Sequence, residues 1–343
     1  MAQASSDGEL KRAATAGRAS GGLRLLLSNE FGLAVLIALT LLVFSLTLEG
    51  FTSPFSLFTI GRQIGIDTMI GLAMMAVIVT GGLDLSVGAI GVCCAMTFGW
   101  LVQILALPIL LAVPLVVLFG AGLGLINGFT VVKSGVHSFI ITLASMSIFF
   151  GVMIFLTKAN AYNGLPTEVQ AFGKMKIYKT ISPLLLISMA ICVGLAVLYR
   201  LTDLGRQMLA AGANLRAAEL SGIQTGRVIM ACHMLTGGLA AVAGLMVTAR
   251  TGASVPSMAG HLGQDWLLPA FLAPVLGGTL LSGGRVSVMG TFLGAVFVNV
   301  MTSGLLLMRV GEFWILASLG MMLLIAVLAD RGRQEVLRSK GMI

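Results

Sequence analysis

At 343 residues, 57% hydrophobic and 10% charged, with a mean hydropathy of +1.03, the chain falls outside the soluble range, where charged residues make up about a quarter. Apolar stretches of ~18 residues or more, long enough to cross a bilayer, recur along it, without the alternation and turns of a membrane β-barrel. The net charge of +8 is dispersed over short loops, which excludes nucleic acid as a partner and leaves an all-α polytopic membrane protein in contact with membrane lipid.

Residues 1–28 are polar and carry Lys11, Arg12, Arg18 and Arg24. They are expected to form a cytoplasmic N-terminal tail, because the apolar run that follows is too long for a signal-peptide core. About ten spans follow, centred on about 31–48, 63–80, 85–104, 106–128, 136–157, 181–199, 227–248, 266–283, 287–308 and 313–329. They make 29–330 one transmembrane domain and leave 331–343 as a C-terminal tail. With the N-terminus inside, the tail, Lys133, the 200–227 loop, Arg285 and the C-terminal residues place fourteen Lys and Arg inside. Arg62, Lys158, Lys174, Lys176, Lys179, Arg250 and Arg309 place seven outside, and this bias predicts both termini in the cytoplasm.

The second and third spans are divided by "TGGLDLSVGAIGV", residues 80–92, whose Asp84 is the single formal charge between Met69 and Leu107. A carboxylate at membrane depth costs at least ~2.5 kcal/mol on insertion scales, so it faces a bundle interior, a cavity or a partner. Asp84 and Ser86 either cap the next helix or touch a substrate. Gly120, Gly124 and Gly128 recur on one helix face, as do Gly290 and Gly294, which predicts close helix packing. Leu201 to Arg227 is too basic to cross a membrane. Its pattern predicts two short surface helices broken at Gly212, with Arg216 and Glu219 at i,i+3, that either dock another protein or form a solvated connector. After the eighth span, GGTLLSGGR matches GGLDLSVGA at five of nine positions: Gly277, Gly278, Leu281, Ser282 and Gly284 fall on Gly81, Gly82, Leu85, Ser86 and Gly88. That suggests an internally repeated core of interrupted helices, as in transporters.

Cys93, Cys94, Cys192 and Cys232 lie in apolar runs without metal or disulfide spacing, and His137, His233 and His261 read as satisfied helix or loop histidines. GxxxxGK[ST], HExxH and GxSxG are all missing, so no metal, no catalytic residue and no ATP site is expected on this chain.

Three stretches, "TGGLDLSVGAIGV", "GRQMLAAGANLRAAELSGI" and "LGGTLLSGGRVSVMGTFLGA", resemble signatures of the permease subunits of bacterial ATP-driven sugar importers of the ribose/xylose/arabinose type. The likeness runs from about Ser53 to the end. It implies a binding-protein-dependent, multi-pass inner-membrane subunit that is not itself an enzyme. Such a subunit works as a dimer with a second copy or a paralogue and binds a cytoplasmic ABC ATPase, which holds the ATP. It takes a monosaccharide or related small polyol from a periplasmic sugar-binding protein and moves it by alternating access. Family members serve pentoses, hexoses, polyols and autoinducer-2. The resemblance makes Gly81, Gly82, Asp84, Ser86, Gly88, Gly277, Gly278 and Ser282 motif positions beside the translocation path. It makes Gly205, Arg206, Gly212, Asn214, Arg216, Ala217, Ala218, Glu219, Ser221 and Gly222 the segment coupled to the ATPase. Glu219 departs from the basic residue commoner there, and Asp67 is unusual in its span, where it pairs with Arg62 or lines the path.

Asn127, Gln103, Asn299, Trp100, Trp266 and Trp314 are candidate sugar contacts, although packing or interfacial anchoring suits them better. Two rival readings carry different expectations. An ion- or proton-coupled carrier would use Asp67 or Asp84. An intramembrane aspartyl enzyme would need those two carboxylates to face each other.

Overall fold

The computed structural model describes residues 29–339 except Lys179, so the N-terminal tail lies outside the described residues. Thirteen helices appear among them. They are α1 (Asn29–Thr47), α2 (Pro54–Ile78), α3 (Val87–Gln103), α4 (Ile109–Ser134), α5 (Ser138–Thr157), α6 (Thr167–Lys174) and α7 (Pro183–Leu201). The short α8 (Asp203–Ala213) and α9 (Leu215–Leu220) precede α10 (Thr225–Thr251), α11 (Leu267–Leu276), α12 (Val288–Leu307) and α13 (Glu312–Ser339). Two-residue strands β1 (Tyr162–Asn163) and β2 (Ala253–Ser254) pair antiparallel at one end of the bundle.

Seven helices, α1, α2, α4, α5, α7, α10 and α12, are long and apolar enough to cross a bilayer, and α3 and the first 17 residues of α13 fall just short. The protein is an all-α polytopic membrane protein. α2 is its axis: 83% of its span is buried, against 17% for α1 and 22% for α4, α5 and α7. A helix apolar all round and enclosed by others needs no lipid face. It opens at Ser53, whose hydroxyl accepts from the Ser56 N–H, with Pro54 supplying a preset φ at the first turn.

The glycine stripes do what their spacing predicts. Gly120, Gly124 and Gly128 set α4 against α10, where an added Cβ would meet Gly237, His233 and Met230. Gly290 and Gly294 set α12 against Gly277 and the Ala273 carbonyl in the same way. The cysteines are free thiols packed in the bundle, with Cys192 half-buried.

The expected eighth span, 266–283, is not one helix. Irregular backbone after β2 leads into a 3₁₀ turn, His261–Trp266, followed by α11, ten residues or about 15 Å long. α11 stops at Gly277 because Gly278 has φ +83°, which no right-handed helix accommodates. The irregular segment runs along α3: Ser254 lies beside Gly99, whereas Gly263 lies against Gly88, eleven residues and about 16 Å nearer the start of that helix. Non-helical backbone at such depth survives only where protein encloses it, and Ala259, Gly263 and Trp266 are buried.

Candidate functional site

The three sequence motifs converge at the end of the bundle where α2 finishes. The chain leaves α2 at Val79, and Gly81, with φ +77°, turns it back towards the start of α3. The second glycine loop, 277–287, meets this one: the Gly284 N–H donates to the Val79 carbonyl at 2.9 Å. A Cβ on Gly81 would stand 3.1 Å from the Ser282 carbonyl, and one on Gly283 2.7 Å from the Gly81 nitrogen. α8 closes the junction. Gly212 lies against both the Val79 carbonyl and the Gly284 nitrogen, and Gly284 against Ala213. The joint is backbone against backbone on three sides, and glycine is required because any Cβ would occupy a neighbour's peptide group.

The first loop then enters a buried polar network. Asp84 is fully buried. Its Oδ1 accepts from the Ser86 N–H at 2.9 Å and the Ser86 hydroxyl at 2.6 Å, and its Oδ2 lies 3.1 Å from His233 Nδ1 on α10. With the carboxylate ionised, Nδ1 carries the proton and donates. Asn127 on α4 donates from Nδ2 to the Ser86 hydroxyl at 2.8 Å. From α5, the Ser138 hydroxyl accepts from the Leu83 N–H and that of Thr142 from the Leu85 N–H, at 2.9 and 3.1 Å. Extended backbone left without sheet or helix partners inside the bundle is thereby satisfied. Gly88, one turn on, admits the Gly263 carbonyl.

The match between the two glycine stretches is looser in space than in letters. Ser86 precedes α3, but the serine that caps α12 is Ser287, whose hydroxyl accepts from the Gly290 N–H at 2.9 Å and bonds Glu30 of α1. Ser282 is exposed.

Residues 56–328 match a family model described as "Branched-chain amino acid transport system / permease component". The ribose import permease protein of Bacillus subtilis is 36% identical over 313 residues, 90% of this chain and 94% of that one. Its counterpart in Escherichia coli K12 is 32% identical, over 90% of this chain and 95% of its own. The autoinducer 2 import system permease protein LsrD of Salmonella paratyphi B is 33% identical over 69% of this chain and 71% of its own. The chain belongs to this permease family. No solved structure matches it.

In the permease the segment between α7 and α10 departs from expectation in two respects. The break between its short helices falls at Asn214, in extended backbone, not at Gly212. Asn214 ends α8 and caps α9, its Oδ1 accepting from the Ala217 N–H at 3.0 Å, so a polar cap, not a flexible glycine, sets the bend. Arg216 and Glu219 form no ion pair. Glu219 instead accepts from the Thr225 hydroxyl at 2.9 Å, tying α9 to the first residue of α10. Arg206 pairs with Asp203 on the exposed face, Gly205 packs on Leu198 and Tyr199 of α7, and Ser221 with Gly222 (φ +83°) closes α9. Leu215, Arg216, Glu219 and Leu220 are left exposed.

Asp67 does not pair with Arg62. It accepts from Gln63 Nε2 at 3.0 Å and Asn299 Nδ2 at 2.9 Å, and Arg250 bonds Gln63 from α10. Residues five apart on a helix face different ways, whereas Gln63 is four back and shares a face with Asp67. For the same reason Arg62 lies over Phe58, 5.3 Å from the ring centroid. The two acids thus belong to separate networks, and the facing carboxylates of an aspartyl enzyme are not formed. Among the described residues no three His, Cys, Asp or Glu gather as metal ligands.

Of the candidate sugar contacts, Asn127 and Asn299 are committed to these networks, Trp266 packs on Gly91, and Gln103 donates to the Asn163 carbonyl. Trp314 is 72% exposed on an apolar helix, as an interfacial anchor would be. Trp100 lines an apolar lateral cavity of about 610 Å³ between α3, α4 and α5. A second cavity, about 500 Å³, lies between α6, α7 and α10. Neither touches Asp67 or Asp84.

Proposed function

We propose that this permease is the membrane-spanning subunit of an ATP-driven importer for a monosaccharide or related small polyol. In this reading the substrate arrives on a periplasmic binding protein, two permease chains form the pathway, and both termini face the cytoplasm. ATP is bound and hydrolysed on a partner ABC ATPase seated on α8 and α9. The observation that carries the reading is the glycine joint: α8, first of the short polar helix pair between the long spans α7 and α10, touches both interrupted-helix loops through Gly212. Displacement of α8 therefore acts directly on the backbone where α2 ends and α12 is approached, as alternation between two access states requires. A sugar rather than a branched-chain amino acid is favoured by the ribose and autoinducer-2 permeases among the relatives. Both buried acids are bonded to protein groups, Asp84 to Ser86 and His233 and Asp67 to Gln63 and Asn299.

The test is uptake of radiolabelled D-ribose, with D-xylose and D-glucose alongside, by proteoliposomes holding the permease, its ATPase and internal ATP. Uptake should require binding protein and ATP and survive a protonophore. Uptake that collapses with the protonophore while ATP is held constant would establish the ion-coupled carrier instead.

A further inference from the structure

We infer that His233 is a positioning residue through which the short helices α8 and α9 control the deep end of the 79–86 loop. This inference rests on the importer reading. The loop is held at its shallow end by Gly212 and Gly284 around the Val79 carbonyl. At its deep end, the sole side chain from outside the loop that reaches the Asp84 carboxylate among the described residues is His233. His233 stands on α10, eight residues and about 12 Å beyond Thr225. Thr225 is bonded to Glu219 of α9, and four residues separate the two helices, with the Ile223 N–H closing onto the Ala218 carbonyl. α10 is thus bonded both to the segment proposed to take up the ATPase stroke and to Asp84, and the glycine contacts with α4 hold His233 beside Asn127 and Ser86. When α8 and α9 move together, the loop is carried at two points: directly at Val79 by α8, and at Asp84 by α9 through α10 and His233. The second hold makes the start of α3, which packs on the irregular 255–266 segment through Gly88 and Gly263, follow the stroke. A histidine used only for packing would contribute volume, not a bond to the loop's one charge.

The experiment reads sugar delivered per ATP hydrolysed in proteoliposomes containing the assembled importer, with the sugar the unaltered complex transports. His233→Leu keeps the volume and removes the N–H donor. It should leave ATP hydrolysis near the unaltered rate and lower the ratio roughly fivefold or more, the lower end of coupling between sites. His233→Asn, which restores a donor at that position, should recover most of the ratio. An unaltered ratio in His233→Leu, or an assembled His233→Asn no better than His233→Leu, overturns the inference. If His233→Leu fails to co-purify with the ATPase, the ratio is read on Asp84→Asn, which keeps the shape and weakens the same bond; a normal ratio there overturns it too. An unaltered complex that moves none of the sugars tried counts against the importer reading, not against the role of His233.

Discussion

Asp84 announced itself in the sequence because it is the one charge in a long apolar run, and an isolated charge there has to be answered by something. What answers it was not legible. His233 lies 149 residues away in another apolar stretch, and no spacing rule connects a lone histidine to a lone aspartate across that interval. In the structure both carboxylate oxygens are bonded, Oδ1 to Ser86 and Oδ2 to His233. Removing the carboxylate leaves buried donors of Ser86 and His233 without their acceptor, at about 1–3 kcal/mol for each unsatisfied group. Asp84→Ala should therefore lower the melting temperature of the purified permease strongly, and Asp84→Asn, which still accepts from Ser86, much less. Equal melting temperatures for Asp84→Ala and the unaltered chain would falsify the structural pairing. Asp67 teaches a related lesson, since its partners Gln63 and Asn299 are neutral amides that charge-pairing arguments pass over.

Among the elements, hydrophobic length located the long helices well, because a span is written in consecutive residues. It failed on the eighth, where α11 and the 3₁₀ turn before it fill only part of an apolar run that length alone reads as continuous. Gly278, Pro274 and the loop beyond them were visible as letters. That the chain also abandons the helix on the other side of α11, at Gly263 against Gly88, depends on a contact between distant segments. Glycine spacing was legible for the opposite reason: one face of α4 repeats at helical intervals. This yields a paired test on a single helix. At Gly122 an added Cβ meets nothing within 4 Å, so Gly122→Ala should be neutral or gain up to about 1 kcal/mol from helix propensity. At Gly124 the same methyl group would meet the His233 carbonyl carbon at 2.9 Å and its oxygen closer still, so Gly124→Ala should destabilise and disturb the neighbouring Asp84 network. Thermal unfolding of both in detergent decides the matter; destabilisation by Gly122→Ala to the same extent would mean that the α4–α10 contact is not what these glycines serve.

Across the molecule, the described residues present broad apolar flanks and, between α7 and α10, a small polar projection, α8 with α9. On that projection Leu215, Arg216 and Leu220 are exposed while Glu219 is held by Thr225, so the free charge and the apolar residues are the ones available to a partner. Arg216→Glu combined with Leu220→Ala should abolish co-purification with the ATPase while leaving the permease folded, as judged by its melting temperature. Retention of the ATPase by that double variant would move the docking surface elsewhere. The sequence motifs singled out this segment and the two glycine loops. That all three form one joint could be learned only by seeing Gly212 between Val79 and Gly284. Because that joint is made of peptide groups alone, nothing in it reads the chemistry of what is carried. On the importer reading proposed above, a lineage could exchange its cargo by altering other parts of the chain and keep the same gearing, whereas one extra methyl group at the joint would halt every cargo alike.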